Sequence, residues 1–362
     1  MADKVYAAVA VAPERTAVQA LDLPEIGEDE GLLKVETVGV CGTDVSVYRQ
    51  LKEPRILGHH VIGYVAKIGA RAAQRWGVRE GDRVAMEEYI PCGQCDKCRT
   101  GLYRSCDFTD SKRGGLRYGN TPLHVAPGLW GGFSQYMYLH PNAVLHRMPA
   151  HVKAVEAALT LPLANGFEWM CIEGRVGVGS TVVVLGPGQQ GLACVLAAKA
   201  AGAEKVICVG RRTSLRRLEL ARELGADEIV NISEEDLIGR VREMTGGEMA
   251  DVVIDVTSGG TEPITQALHL AKKRGQVLWA AYKYQAIPAF DADEVVAKTL
   301  TIKGLRGHSY ESVEMAIRLI ASGRFPIWVM NSHDYPLERT HEALQTAGGR
   351  GEPNPLLVTV SP

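Results

Sequence analysis

The chain has 362 residues, 46% hydrophobic and 23% charged, the balance of a folded protein that is long enough for two domains and too apolar for intrinsic disorder. With 40 basic and 42 acidic residues the formal net charge is -2 and no long run of either sign occurs, which argues against nucleic acid or an anionic membrane as the main partner. The longest apolar runs, such as YAAVAVAP from Tyr6 to Pro13, fall well short of the roughly 18 residues of a membrane span, and no signal-peptide shape precedes them, so a cytoplasmic location is expected.

The first 150 residues are rich in glycine and carry short strand-like runs, LLKVETVGV and DRVAMEEYI, with turn residues between them. This pattern predicts a mostly β domain. Within it, GVCGTDVSVY and ILGHHVIGYV bring a soft thiolate, Cys41, and an imidazole, His59, to either side of a loop. Such a pair can begin a catalytic zinc site that keeps a position open for water or substrate; taken alone, a single Cys and a single His are more often structural. The Thr43 hydroxyl is a candidate acceptor for the proton of an alcohol, and Asp44 is a candidate partner for the His59 ring. His60 follows His59 directly, and neighbouring side chains on a strand point to opposite faces, so both reach one ion only if the backbone turns between them.

Four of the eight cysteines then fall in CGQCDKCRTGLYRSC: Cys92, Cys95, Cys98 and Cys106. Two C-x-x-C steps and a fourth Cys supply a closed tetrahedral zinc site of structural type, with an iron–sulfur cluster as the competing reading. The segment from Asp107 to Trp130 is a long loop, either a wall of a substrate site or a surface excursion. Its Tyr118, Leu123 and Trp130, with Trp169 further on, suit a hydrophobic alcohol or a core.

Near residue 155 the texture changes. VKAVEAALTLPL, from Val152 to Leu163, has helical composition, and strands then alternate with helices: TVVVLG, GLACVLAAKAAGA, KVICVG, LRRLELARELGA, EIVNI, and later DVVIDVTS and GQVLWAAY. That is the rhythm of a doubly wound parallel sheet. Directly after the first of these strands comes Gly186-Pro187-Gly188-Gln189-Gln190-Gly191, a G-x-G-x-x-G turn leading into a helix. Gly186 allows the tight turn, Gly188 the approach of a pyrophosphate, and Gly191 close packing of helix on strand. The second strand ends at Gly210 with Arg211 and Arg212 in place of the acidic residue that an NAD site wants. Arginine grips phosphate well, so these residues point to NADP over NAD, the alternative being solvated charges at the head of a helix.

Taken together, CGTD at Cys41–Asp44, the Gly-His at 58–59, GDRV at 81–84, the four clustered cysteines, GGFSQYM at 131–137 and GPGQQG at 186–191 resemble the zinc-dependent medium-chain alcohol and polyol dehydrogenases over nearly the whole chain. The resemblance implies an α/β protein with a GroES-like, β-rich catalytic domain made from 1–154 and 294–362 and a Rossmann dinucleotide-binding domain over 155–293. It also implies a homodimer or homotetramer, a catalytic zinc on Cys41 and His59, and a proton relay through Thr43 to which Ser46 contributes. Three positions depart from the family pattern. His60 stands where a Glu is common, and Ser46 where many members have a relay His. The usual third ligand falls near Pro162, where neither Pro162 nor Leu163 binds metal and Asn165 is the nearest polar residue. His60 is therefore the candidate third ligand, the alternative being a weakened or empty site.

The expected function is hydride transfer between a secondary alcohol or polyol and NAD(P), with NADP preferred. A medium-chain reductase lacking catalytic zinc and acting on an activated alkene or quinone is the alternative. A cofactor-binding protein without turnover is the third reading.

Overall fold

The computed structural model describes residues 4–362. Residues 1–3, within the first expected domain, lie outside the described residues. The chain divides into two compact units, Met1–Leu161 with Ile317–Gly323 and Ile327–Pro362, and Pro162–Ala316 with Arg324–Pro326.

The first unit begins with β1 (Lys4–Ala12), β2 (Arg15–Asp22), β3 (Gly31–Gly39), α1 (Gly42–Arg49), β4 (Arg55–Ile56), β5 (His60–Ile68), α2 (Ala70–Trp76), β6 (Arg83–Met86), α3 (Asp96–Arg99), β7 (Tyr136–Leu139) and β8 (Leu145–Arg147). β1 pairs antiparallel with β2 and β4, while β3, β5, β6 and β8 form a run of antiparallel neighbours. Inward residues of these strands, among them Leu33, Val38, Val61, Val84 and Met86, close one apolar core with Phe133 and Met137.

The helix expected over 152–163 is broken into α4 (Ala154–Ala157) and α5 (Thr160–Phe167). The Thr160 hydroxyl donates to the Ala157 carbonyl at 2.6 Å, a local bond that competes with a continuous helix. The second unit continues with β9 (Thr181–Leu185), α6 (Gln189–Ala200), β10 (Lys205–Gly210), α7 (Leu215–Glu223), β11 (Glu228–Asn231), α8 (Leu237–Met244), β12 (Ala250–Asp255), α9 (Glu262–Leu270), β13 (Ala271–Trp279), α10 (Ala292–Lys298), β14 (Thr301–Gly304) and α11 (Tyr310–Ser322). Its six strands are parallel in the order β11-β10-β9-β12-β13-β14, the 3-2-1-4-5-6 order of a dinucleotide-binding sheet. Val182, Val183 and Val184 of β9 and Val252, Val253 and Ile254 of β12 are buried, so the middle of each strand is an unbroken apolar run instead of an alternation.

The boundary expected at 294 lies too early. β14 extends the parallel sheet in register with β13, from Gln276↔Thr301 to Trp279↔Gly304, and the second unit runs on to Ala316. The chain closes with β15 (Asn331–Pro336), α12 (Thr340–Ala347) and β16 (Leu357–Ser361). β16 pairs antiparallel with β3 and so returns the end of the chain to the first unit. Among the described residues no helix is long and apolar enough to cross a membrane.

Candidate metal centre and dinucleotide loop

Cys41 lies between the end of β3 and the first turn of α1, and Asp44 in that turn is almost fully buried. Asp44 Oδ2 accepts from the Cys41 backbone N–H at 2.9 Å, while Oδ1 accepts from the Gly58 backbone N–H and from His59 Nδ1, each at 3.0 Å. One carboxylate thus joins the Cys41 turn to the loop that carries the two histidines. Because a carboxylate only accepts, His59 donates through Nδ1, which leaves Nε2 as the ring nitrogen that can face Cys41 or an ion.

The chain turns just before the two histidines, and their rings converge. Gly58 has φ +86°, and a Cβ there would lie 2.8 Å from the Phe133 ring, so this loop needs glycine. His59 precedes the strand and His60 is the first residue of β5, paired with Gly39. The two rings meet edge to face with centroids 4.6 Å apart, and one ligand atom from each of Cys41, His59 and His60 lies within 4.8 Å of the others. Burial opposes ionisation of the Cys41 thiol, yet His60 and His59 beside it bring its pKa down to about 5, so the sulfur is a thiolate at neutral pH. Burial likewise opposes charge on His59 and Asp44, but their mutual attraction raises the pKa of His59 and lowers that of Asp44.

His60 Nδ1 is buried with no hydrogen-bond partner, an arrangement that costs about 1–3 kcal/mol unless something binds there. A thiolate, two imidazoles and an unsatisfied ring nitrogen together fit a zinc ion.

Thr43 and Ser46, three residues apart on one face of α1, are both exposed, while Asp44 and Tyr48 on the other face are buried. Asn165 is engaged elsewhere: its Nδ2 donates to Gln190 Oε1 at 3.3 Å, and its Oδ1 meets His308 Nδ1 at 3.1 Å.

Cys92, Cys95, Cys98 and Cys106 also converge. Cys95 Sγ lies 3.5 Å from Cys98 Sγ and 3.8 Å from Cys106 Sγ, and Cys92 Sγ lies 3.9 Å from Cys98 Sγ. A tetrahedral ion with bonds of about 2.3 Å to sulfur has edges of about 3.8 Å, so a single zinc fits this group. The sulfurs are too far apart for disulfides. The lobe is tied to the β-rich unit at Glu87 Oε1, which accepts from the Tyr103 hydroxyl at 2.6 Å and lies 2.9 Å from His146 Nε2.

The long loop passes against the metal-type triad. Gly119 has φ +71°, and a Cβ on it would lie 3.0 Å from His59 Cβ. Two residues earlier, Arg117 donates to the buried Glu88 at 2.7 Å and covers the Tyr89 ring. Two glutamates directly after the apolar strand RVAM, Glu87 and Glu88, are the sequence signal of these buried carboxylates. Tyr118 and Trp130 are buried in the core of the first unit, against which Leu123 also packs, and Trp169 is buried in the second, which favours packing over a substrate wall.

In the second unit, Gly186 has φ +105° at the end of β9, and Gly188 caps α6. A Cβ on Gly191 would fall 1.8 Å from the Gly186 carbonyl oxygen, the close helix-to-strand approach that only glycine permits. Pro187 packs on Gly210, where a Cβ would lie 2.9 Å from its ring. Gln189 Nε2 is buried without a partner at the head of α6. Arg211 and Arg212 follow β10 with exposed side chains, in ion pairs of 3.7 Å with Glu262 and 3.0 Å with Glu234.

Comparison with known proteins adds the following. Residues 27–150 match the model of an alcohol dehydrogenase GroES-like domain, and residues 191–322 that of a zinc-binding dehydrogenase. The chain is 38% identical over 353 residues to a probable alcohol dehydrogenase of Mycobacterium tuberculosis, covering 95% of each. It is 30% identical to a sorbitol dehydrogenase of Bombyx mori, over 94% of this chain and 95% of that one. A solved structure from Sinorhizobium meliloti, described as a zinc-binding dehydrogenase bound to NADP, superposes with a TM-score of 0.86 at 25% identity, covering 99% of this chain and 100% of the other.

Proposed function

The chain belongs to the zinc-dependent medium-chain dehydrogenases, oxidoreductases that act on CH–OH groups, and we propose that it interconverts a secondary alcohol or polyol with the matching carbonyl compound, with NADP preferred over NAD. The observation that carries this reading is the convergence of Cys41, His59 and His60, with His60 Nδ1 buried and unsatisfied. These three residues would hold the catalytic zinc, and Cys92, Cys95, Cys98 and Cys106 a structural one. When bound, the catalytic zinc supplies Lewis acidity that lowers the pKa of an alcohol.

The chain's own residues do the rest. Asp44 fixes the tautomer and direction of the His59 ring through Nδ1. The Thr43 hydroxyl accepts the alcohol proton, and Ser46, exposed on the same face of α1, passes it to solvent. In the second unit the free backbone N–H groups at the head of α6 receive the pyrophosphate, with Gly188 leaving open space for it. Arg211 and Arg212 bind the 2'-phosphate; their present partners are exposed carboxylates, and such pairs contribute little that a phosphate would have to overcome.

The zinc-free reductase reading is disfavoured by the same convergence, since a reductase without catalytic metal has no need of a buried thiolate beside two imidazoles. The zinc content per subunit, measured by elemental mass spectrometry on protein purified without added metal or chelator, tests the proposal. Two zinc ions in the wild type and one in Cys41→Ser, with turnover lost and NADPH binding intact, support it. One zinc ion in the wild type, or near-normal turnover in Cys41→Ser, refutes it.

A further inference from the structure

Behind the glycine-rich turn, at the carboxyl edge of the parallel sheet, lies a buried charge cluster. Asp255 ends β12, is fully buried, and stands in register with Leu185 of β9 on one side and Trp279 of β13 on the other. Its Oδ1 accepts from the Thr257 backbone N–H at 2.9 Å and from the Thr257 hydroxyl at 2.6 Å. Lys283, in the segment after β13, reaches back to the same place. Its Nζ donates to the Thr257 carbonyl at 2.6 Å and to the Thr257 hydroxyl oxygen at 2.9 Å, and forms an ion pair with Asp255 Oδ2 at 2.7 Å. Two ammonium protons thus meet Thr257, the charge lies against the Asp255 carboxylate, and the side chain is only 7% exposed.

The other end of Thr257 touches the dinucleotide loop: its Cγ2 lies 2.8 Å from where a Cβ on Gly186 would stand. Lys283 thus couples the segment after β13 to the turn at Gly186 through a single residue. A buried ion pair is seldom a better stabiliser than apolar side chains of similar size, so its position here calls for a reason other than stability.

The strand order supplies one. In a 3-2-1-4-5-6 sheet the dinucleotide lies across the point where the order reverses, here between β9 and β12, and the adenosine ribose is read at the end of the second strand, here β10. The nicotinamide half then falls to the ends of β12 and β13, where Asp255, Thr257 and Lys283 lie. We infer that Lys283 is a positioning residue for the nicotinamide half of the cofactor: it clamps the segment after β13 against Thr257 and Gly186. This rests on the dinucleotide reading above.

The test compares the full cofactor, NADPH or NADH, whichever the wild type binds more tightly, with the matching adenosine fragment, adenosine 2',5'-bisphosphate or ADP. Calorimetry gives both Kd values for the wild type, for Lys283→Met, and for the uncharged pair Asp255→Asn with Lys283→Met. The double variant decides where the single one, left with a lone buried carboxylate, does not fold. The expected result is about tenfold or more weakening for the full cofactor, the equivalent of about 1.4 kcal/mol, with the fragment unchanged to within about twofold. Equal losses for both ligands, or no loss for either in a folded variant, overturn the inference. A wild type that binds neither cofactor nor fragment overturns the dinucleotide reading itself, a result distinct from a variant that matches a binding-competent wild type.

Discussion

Asp44→Asn removes one charge from the candidate metal centre while keeping the shape of the side chain. The carboxylate accepts three hydrogen bonds, from Cys41, Gly58 and His59, at 2.9 to 3.0 Å. An amide offers one oxygen. Turned towards Gly58 and His59, it sets its NH2 group against the Cys41 N–H; flipped, it opposes two donors. In the better orientation one buried donor loses its acceptor, about 1–3 kcal/mol, and the remaining bonds lose the assistance of the charge, about 1 kcal/mol more. The expected loss of stability is therefore about 2–4 kcal/mol, read from urea unfolding of chelator-treated protein. His59 keeps only a neutral oxygen at Nδ1 in place of a carboxylate, which supports the ring less strongly as a ligand, so zinc affinity in chelator competition should fall about 10–100-fold. A variant with the wild-type urea midpoint and wild-type zinc affinity would refute the reasoning. Lower stability with unchanged zinc affinity would leave Asp44 as a loop anchor and remove it from the metal centre.

Gly191→Ala places a methyl group 1.8 Å from a backbone oxygen that has no rotamer to move away with. The turn must open, at a cost of about 1–3 kcal/mol or more, and thermal melting together with cofactor titration should show lower stability and weakened binding. A variant that melts and binds as the wild type does would contradict the close approach. Replacing Arg211 and Arg212 together by Ala should raise the KM for NADP about tenfold or more, since each charge-assisted hydrogen bond is worth about 1.5–3 kcal/mol, with little effect on NAD. Equal effects on the two cofactors in steady-state kinetics would overturn the assignment of the 2'-phosphate.

Much of the architecture was legible because it rests on short-range pattern. Strands buried on both faces read as unbroken apolar runs in TVVVLG and DVVIDV, and the glycines of GPGQQG stand where the backbone must turn or approach closely. Boundaries were less legible. TLTIKGLRG reads equally well as a strand of either unit, and only its pairing with β13 assigns it to the parallel sheet. The aromatic residues of the long loop fitted a substrate wall as well as a core, because side-chain type says nothing about which way the chain folds back. Tyr118 and Trp130 turned inward. Asn165, the nearest polar residue to the missing ligand position, is drawn instead to Gln190 and His308.

The sequence by itself determined the groups whose members lie within one short loop, the four cysteines and the glycine-rich turn, since the spacing of near neighbours nearly specifies their geometry. The tertiary structure alone decided whether His59 and His60 could meet at one point. That depends on the loop at Gly58, whose positive φ is open to glycine and whose missing side chain leaves room for the Phe133 ring, and on Asp44 joining two loops. It alone also brought Lys283 to Asp255 and Thr257. Such pairs are made by the pairing of β12 with β13 and by burial, which act between residues far apart in the chain and leave no periodic trace in it.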